Sequence, residues 1–352
     1  MKRIGLNVTW IIFFLIIGIA AFGLASENAW AAEKTYRMKI QSAFPHGDLS
    51  MDLLKEFAAS AEKRSEGRLK IKVFADPELV PGDQLLGATK QGVLDMLHAM
   101  GGMWAGILPI GNVEFNLPLA FRIEGEQTFE EKAAAVRDFF FKEGFIELLR
   151  QEYAKQGLYY LDIHTYGPVP FVLSTKPIKT CEDLKGMKIR AEGINLEFHS
   201  EVGFQATVIS GLETYMGLKL GTVDAAEWDV SAVTGLNWHE VAPYWIQGME
   251  SDITIGHILM DMDKWEALPE DMKTALKGAA EDYWHATVKG YKKELETVRN
   301  LVEEGKIHIN VLDEACQAQY VEAAKKIWKE VALQSPTNAK AVQMIEDWKK
   351  KR

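Results

Sequence analysis

Residues 37–45 (RMKIQSAFP) alternate apolar and polar side chains through their first half and then break at a proline. A period of two puts one set of side chains on a core face, so the stretch predicts a strand running into a loop at Phe44-Pro45-His46-Gly47. Ser50 to Ser65 changes period: Leu53, Leu54, Phe57 and Ala61 fall on one helical face, and Gly67 ends the run. Arg68 to Phe74 (RLKIKVF) alternates again. Strand, helix and strand in this order form the unit of a parallel sheet covered by helices.

The same rhythm continues downstream. Pro81 to Met100 reads as a turn, a helix, a break at Gly92 and a strand near Val93 to Met100, and Gly101 to Pro109 is a Gly-rich loop containing Trp104. Glu130 to Gln156 is a long helical region. Leu158 to Thr175 is apolar, β-branched and aromatic, long for a single strand, and suited to crossing between lobes as a hinge. A one-turn helix at Cys181 to Leu184, strands at Met187 to Ala191 and Ala206 to Ser210, and helices at Asn195 to Val202 and Thr214 to Leu220 follow. GTVDAAEWDV (Gly221 to Val230) predicts another strand, and Ser251 to Met262 a second long one. From Leu268 onward the chain is nearly all helix, with Pro269, Glu270 and Asp271 marking a helix start and a charged stretch from Tyr283 to Glu304. The implied architecture is α/β in two lobes: a smaller lobe of residues 161–250 inserted in a larger one of 32–160 plus 251–312, with 313–352 as C-terminal helices. Ligands in such folds sit at strand ends facing the cleft.

The start of the chain has a different character. Lys2 and Arg3 precede an apolar run from Ile11 to Leu24, and Ala29-Trp30-Ala31 offers a small-x-small cleavage pattern. This predicts a signal peptide over residues 1–31 and export to the periplasm, with a retained N-terminal anchor as the alternative. The whole chain has 40 Lys+Arg against 50 Asp+Glu; without Lys2, Arg3 and Glu27 the balance is 38 against 49, a net charge of −11. Such a surface repels nucleic acid and anionic lipid but does not exclude a small anionic ligand held by a buried arginine. Export permits a disulfide between the two cysteines, Cys181 and Cys316, while two separate buried thiols remain equally open. No CxxC or HExxH spacing, nucleophile elbow, Walker loop or GxGxxG after a strand is present. An exported hydrolase would need two cleft carboxylates about 5–10 Å apart, a role that Glu227 and Glu250 leave open.

Two positions carry the candidate chemistry. Arg190 ends an alternating strand just before Gly193, and its planar guanidinium matches a carboxylate; a structural pairing with Glu192 or Glu197 is the alternative. Glu227 sits directly beside Trp228, although neighbours on a strand face opposite ways, so each needs its own reason. A surface pairing for Glu227 and a core position for Trp228 stand against a shared role in the cleft. Phe44, Trp104, Tyr166, Trp228, Tyr244 and Trp245 supply aromatic surface, and His46 and His164 lie beside it. This richness suits a ligand with an apolar or aromatic body.

Glu78 to Met96 (ELVPGDQLLGATKQGVLDM), Pro177 to Gly193 (PIKTCEDLKGMKIRAEG), Leu212 to Trp228 (LETYMGLKLGTVDAAEW) and Asp263 to Ala280 (DKWEALPEDMKTALKGAA) stand in an order and spacing that resembles the DctP-like solute-binding subunits of tripartite ATP-independent periplasmic (TRAP) transporters. The resemblance covers essentially the whole mature chain. It implies a two-lobe venus-flytrap periplasmic binding protein with long C-terminal helices packed across the lobes, acting as a receptor rather than an enzyme. By the same resemblance the receptor, monomer or homodimer, binds a small organic acid and hands it to a sodium-driven membrane permease; a periplasmic sensing module would share the fold. Ligand contacts are expected from Arg190, Glu227, Trp228, Trp104, Tyr166 and His46, with Arg190 gripping the carboxylate. In the 2-oxo and 2-hydroxy acid branch a sodium or calcium ion bridges protein and ligand, here through Glu227, Trp228 and Glu250. That branch also places a Gln on the crossing strand, where this chain reads Ile163-His164-Thr165-Tyr166-Gly167-Pro168.

Overall fold

A computed structural model describes residues 34–115 and 117–352, so the predicted signal peptide lies outside the described residues. Strand β1 (Tyr36–Ser42), helix α1 (Leu49–Arg64) and strand β2 (Leu69–Phe74) form the first β-α-β unit, as the change of period predicts. Asp48 caps α1 by accepting the Met51 N–H at 3.1 Å, which fixes where the helix begins. Helix α2 (Leu85–Lys90) leads to β3 (Met96–Ala99), which pairs parallel with β1. After it the expected Gly-rich loop closes into a short 3₁₀ turn, Gly101–Trp104, followed by α3 (Gly111–Glu114). The long helix expected over 130–156 is two helices, α4 (Phe129–Lys142) and α5 (Phe145–Ala154), broken where Gly144 takes φ +82°.

The crossing segment also divides. Leu158 to Thr175 is not one strand: β4 (Leu158–Val169) belongs to the first sheet and β5 (Phe171–Ser174) to a second. Pro170 between them has no N–H to give a ladder, so the pairing stops there and the chain changes sheets. The second lobe continues through α6 (Cys181–Leu184), β6 (Lys188–Arg190), α7 (Asn195–Ser200), β7 (Gln205–Thr207), α8 (Gly211–Leu220), β8 (Ala225–Trp228) and β9 (Tyr244–Gln247). Strand β10 (Ser251–Asp261) returns to the first sheet, and α9 (Met262–Glu266) and α10 (Glu270–Glu303) follow. Strand β11 (His308–Val311) then pairs parallel with β9 before α11 (Glu314–Leu333) and α12 (Pro336–Lys350) finish the chain.

The five-stranded sheet runs β2-β1-β3-β10-β4 and the six-stranded sheet β11-β9-β5-β8-β6-β7. Sheet membership therefore shifts the lobe boundaries read from sequence. Residues 161–169, expected in the smaller lobe, lie in the first sheet, and 308–311, expected in the larger, lie in the second. The chain crosses between sheets at Val169–Phe171, at Gln247–Ser251 and after α10. This 34-residue helix packs on α1 and β4 and reaches the turn Val230–Ala232 after β8. Strands β4 and β10 pair antiparallel along almost their whole length, with register shifts between Ser251 and Ile255 and again between Ile258 and Leu259. Such irregularities bend a ladder, and these include the end that leaves the sheet.

Cys181 and Cys316 pair, with 5.0 Å between their Cα atoms, tying α6 to α11. Closing a loop of 135 residues stabilises the fold by about 5 kcal/mol in the chain-entropy account.

Beneath the first sheet's open end lies a buried histidine cluster. Tyr283 donates to the Ser50 carbonyl at 2.7 Å, so its oxygen accepts from His98 Nε2 at 2.9 Å, and His98 Nδ1 accepts from Ser42 Oγ at 2.8 Å. The His98 ring stacks on His164 at 4.3 Å. Gly256 makes the room: a Cβ there would lie 2.4 Å from the Tyr166 ring and 2.5 Å from His164 Nε2. Deeper in the sheet, Glu114 accepts the Tyr153 and Tyr160 hydroxyls at 2.6 Å each and pairs with His257 Nδ1.

Burial pushes the His98 pKa from 6.5 down to about 3, with the nearby His257 adding to the effect. A folded-state value below the unfolded one means that stability is present above about pH 6.5 and is lost as pH falls toward 3, by up to about 1.4 kcal/mol per pH unit. Urea unfolding at pH 7 and pH 5 should show this loss. His98→Gln should be less stable at pH 7 but lose less on going to pH 5; an unchanged slope would remove His98 from the account.

Candidate functional site

Two parallel strand pairs aim their C-terminal ends at one place. From the first sheet, the turns after β1 and β3 bring Phe44 and Met100, and β4 brings Tyr166. From the second, β6 and β8 end at Arg190 and Trp228. Between them is a cavity of about 40 Å³, walled by these residues with Phe115, Val169, Glu192, Glu227 and Asp229. The facing walls thus leave little free space between them in this structure.

Arg190 is the cation of this cavity and is only 1% exposed. Its Nε donates to the Ile209 carbonyl at 3.0 Å and Nη1 to the Glu227 carbonyl at 3.1 Å, while Nη2 pairs with the Glu192 carboxylate. The guanidinium also lies 4.5 Å from the centre of the Trp228 ring. The ring fits because residue 211 is glycine: a Cβ there would stand 2.8 Å from the indole edge. Burial pushes the Glu192 carboxyl upward, and the Arg190 charge opposes that rise.

Glu227 is buried for its own reason. One oxygen accepts from Asn195 Nδ2 at 3.0 Å and from the Glu192 N–H at 3.3 Å; the other meets His199 Nε2 at 3.0 Å. With Glu227 as acceptor, His199 carries its proton on Nε2, and Nδ1 takes the Tyr320 hydroxyl at 3.2 Å. The carboxylate thus joins β8 through α7 to α11. Trp228, pointing the other way, donates its Nε1 hydrogen across the lobes to Asp48 Oδ2 at 3.1 Å.

Asp48 and Asp229 meet here from opposite lobes. Asp48 also accepts from Ser50 Oγ at 2.5 Å, and Asp229 from the Ser231 N–H at 2.6 Å and the Tyr291 hydroxyl at 3.1 Å. Burial raises both carboxyls, and the Asp48 charge adds to the rise at Asp229. Phe44 packs edge-on against Tyr166 and Trp228, with ring centres 5.0 Å and 6.2 Å apart, and completes an aromatic wall.

Of the expected site residues, the structure brings together Arg190, Glu227, Trp228 and Tyr166, with Phe44 beside them. Three do not join them. Trp104 is buried in the first sheet's core: its Nε1 donates to Tyr153 Oη at 3.3 Å and its ring stacks on His257, because its turn folds inward rather than over the cleft. His46 is 59% exposed at its side chain, 3.8 Å from Asp52 and 3.6 Å from Glu78. Glu250 turns back on its own chain, accepting the Gly248 and Met249 N–H groups at 2.7 and 2.8 Å, and lines a separate cavity with Trp245. Tyr244 packs on His308, and His164 lies behind Tyr166.

The expected cation ligands thus do not form one set, since Glu250 is elsewhere. Both Glu227 oxygens accept hydrogen bonds as folded, so a sodium or calcium ion there would share this carboxylate with Asn195, His199 and the Glu192 amide. Among the described residues no group of three or more His, Cys, Asp or Glu is arranged to hold a metal.

Sequence reasoning did not find Asp48, Asp229, Asn195, His199 or Tyr320. Asp229 adjoins Trp228 in sequence and could have been read with it, whereas His199 and Tyr320 are 121 positions apart and carry no local signal.

The family model for bacterial extracellular solute-binding protein, family 7 (DctP), matches residues 41–335. The chain is 26% identical over 283 residues to the monocarboxylate 2-oxoacid-binding periplasmic protein of Nostoc sp., spanning 75% of this chain and 73% of that protein. Among solved structures, a TRAP periplasmic solute binding protein from Chromohalobacter salexigens with bound (S)-(+)-2-amino-1-propanol superposes with a TM-score of 0.81 at 22% identity, covering 90% of this chain and 96% of that one. A TRAP transporter solute binding protein from Bordetella bronchiseptica, with copurified calcium and picolinate in its active site, gives a TM-score of 0.79 at 21% identity, covering 91% and 93%. At these identities the two structures establish the two-lobe fold.

The Glu227 network makes a prediction of its own. Glu227→Gln places an amide where two or three donors converge, so urea unfolding should show a loss of about 1–3 kcal/mol. A variant as stable as the parent, or more so, would show that this carboxylate is held for a ligand at the fold's expense.

Proposed function

Because the chain belongs to bacterial extracellular solute-binding protein family 7, we propose that it is an extracytoplasmic receptor of a TRAP transporter, capturing a small organic acid by lobe closure. Arg190 carries this reading. A guanidinium has five N–H donors, and three are engaged by Ile209, Glu227 and Glu192. The remaining two have no partner among the described residues, at a cavity where lobes meet. A carboxylate is the group whose two oxygens match such a pair.

Entry requires the Trp228–Asp48 bond to break and the lobes to separate, bending at the β4 to β5 and β9 to β10 crossings. Closure over the ligand then removes water from the ion pair and strengthens it. The closed form is the species handed to a membrane permease, and the receptor performs no chemistry on its ligand. The hydrolase alternative lacks its carboxylate pair, since Glu227 and Glu250 line different cavities. Export of the mature chain by residues 1–31 belongs to the same proposal.

Native mass spectrometry of the purified protein would give the mass of any ligand that travels with it, and calorimetry with that acid would give its affinity. Arg190→Ala should weaken binding by about 2–5 kcal/mol, roughly 30-fold to several thousandfold. Near-parental affinity in the variant would sink the assignment. Small-angle scattering supplies a second check: the bound acid should lower the radius of gyration, and no compaction would defeat the closure mechanism.

A further inference from the structure

A second cavity, of about 1000 Å³, lies away from the Arg190 cavity, between α11, α12 and the segment 118–127. Its α11 wall is one helical face: Gln317, Val321, Ala324, Trp328 and Ala332, three or four residues apart. At 1.5 Å per residue this wall is about 22 Å long, and the volume spread along it makes a trench roughly 7 Å across, narrower than the ~10–12 Å of an α-helix. Ile123, Val342 and Trp348 complete its apolar lining. The polar lining is basic, in a chain of net charge −10: Arg122, Lys325, Lys329, Lys349, Lys350 and Arg352 against Glu124 and Glu346. Arg122 lies 3.9 Å from Glu124, and Lys325 and Lys350 pair with Glu322 and Asp347 on their own helices. Three cations are left over. Lys329 has no partner among the described residues, and the Arg352 guanidinium lies over the Trp348 ring, 4.7 Å from its centre. Lys349, half-buried, donates only to the Leu119 and Ala120 carbonyls, at 2.7 and 3.3 Å, and burial pushes its ammonium below the usual lysine range.

An ammonium drawn out of water without a carboxylate favours an anion beside it, and the apolar floor favours hydrocarbon. The shape and walls of the trench decide what kind of molecule combines the two. A helix is too wide to enter it. An extended peptide would need partners for its own amides, and the helical walls keep their backbone groups bonded internally. The Pro118 and Leu119 carbonyls of the third wall are already taken, by Trp328 Nε1 and Lys349 Nζ. An acyl chain has no polar group along its length to satisfy. We propose that this trench is a second binding site, for an amphipathic anion of the long-chain carboxylate class, with its chain along α11 against Trp328 and its head on Lys349. The site shares no residue with the Arg190 cavity and does not rest on the role assigned to Arg190.

Calorimetry on the mature protein with decanoate, decan-1-ol and decylammonium, each below the concentration at which it self-associates, separates head from chain. Decanoate should bind about tenfold or more tightly than either of the others. Octanoate should bind roughly 15-fold more weakly than decanoate, for the two buried CH₂ groups it lacks. Lys349→Met should cut decanoate affinity about tenfold and leave decan-1-ol unchanged. Lys329→Glu, at an exposed position, gives the same readout where the first variant does not fold. Arg190→Ala should leave decanoate binding as it is; a loss there would put the probe in the Arg190 cavity and overturn the second site. Equal affinities for the three head groups, no dependence on chain length, or no binding of decanoate at all would overturn it as well. None of these outcomes bears on Arg190 as the carboxylate site of the cleft.

Discussion

The two lobes are held in register by one antiparallel ladder. Strands β4 and β10 leave the first sheet side by side, and both crossings that flank the cleft are continuations of this pair. Everything at the site depends on where the ladder ends. Tyr166 is fixed near the end of β4, Val169 stands at the crossing, and β5 then sets the register of β8, with Val172 opposite Glu227 and Phe171 opposite Trp228. A slip of one residue in that pairing would exchange the faces of Glu227 and Trp228. The carboxylate would lose His199 and Asn195, and the indole would lose both Arg190 and Asp48.

That alternation answers why a charge and a large ring sit next to each other on a buried strand. Each faces its own network, Glu227 inward to the second lobe's helices and Trp228 outward to the facing lobe. The site is thus electrostatically layered. Glu227 belongs to the scaffold, Arg190 and Glu192 form a pair at the cavity wall, and Asp48 with Asp229 form an acidic seam where the lobes touch.

Much of this was legible in the chain. Period-two and period-3.6 runs located β1, α1, β2 and β10, and the adjacency of Arg190 to a strand end marked it as a cleft residue. Elements joined by local signals were readable; contacts made across long separations were not. The split at Pro170 could have been anticipated, since proline ends a ladder, but which sheet each half joins is a tertiary decision. Trp104 misled because a Gly-rich turn can fold toward the core as readily as toward solvent, and the buried Tyr153 and His257 that receive it come from elsewhere in the chain. Glu250 misled because its carboxylate caps two amides of its own turn. Asp48 reads in sequence as an ordinary helix cap, and nothing local shows that its second oxygen meets an indole 180 positions away.

The disulfide has a mechanical consequence. Cys316 fastens α11 covalently to the second lobe, and Tyr320, one turn further along, is hydrogen-bonded to that lobe's His199. Two turns beyond, Trp328 donates to the Pro118 carbonyl at 2.7 Å, and Lys349 of α12 reaches the Leu119 carbonyl at the same distance, both in the segment that precedes α4. The C-terminal helices are therefore a leash: welded at one end to the moving lobe and clipped at the other to the stationary one. A venus flytrap fitted with such a leash has a limit to its travel, so the opening of the mouth is restrained by contacts that lie outside the ligand cavity.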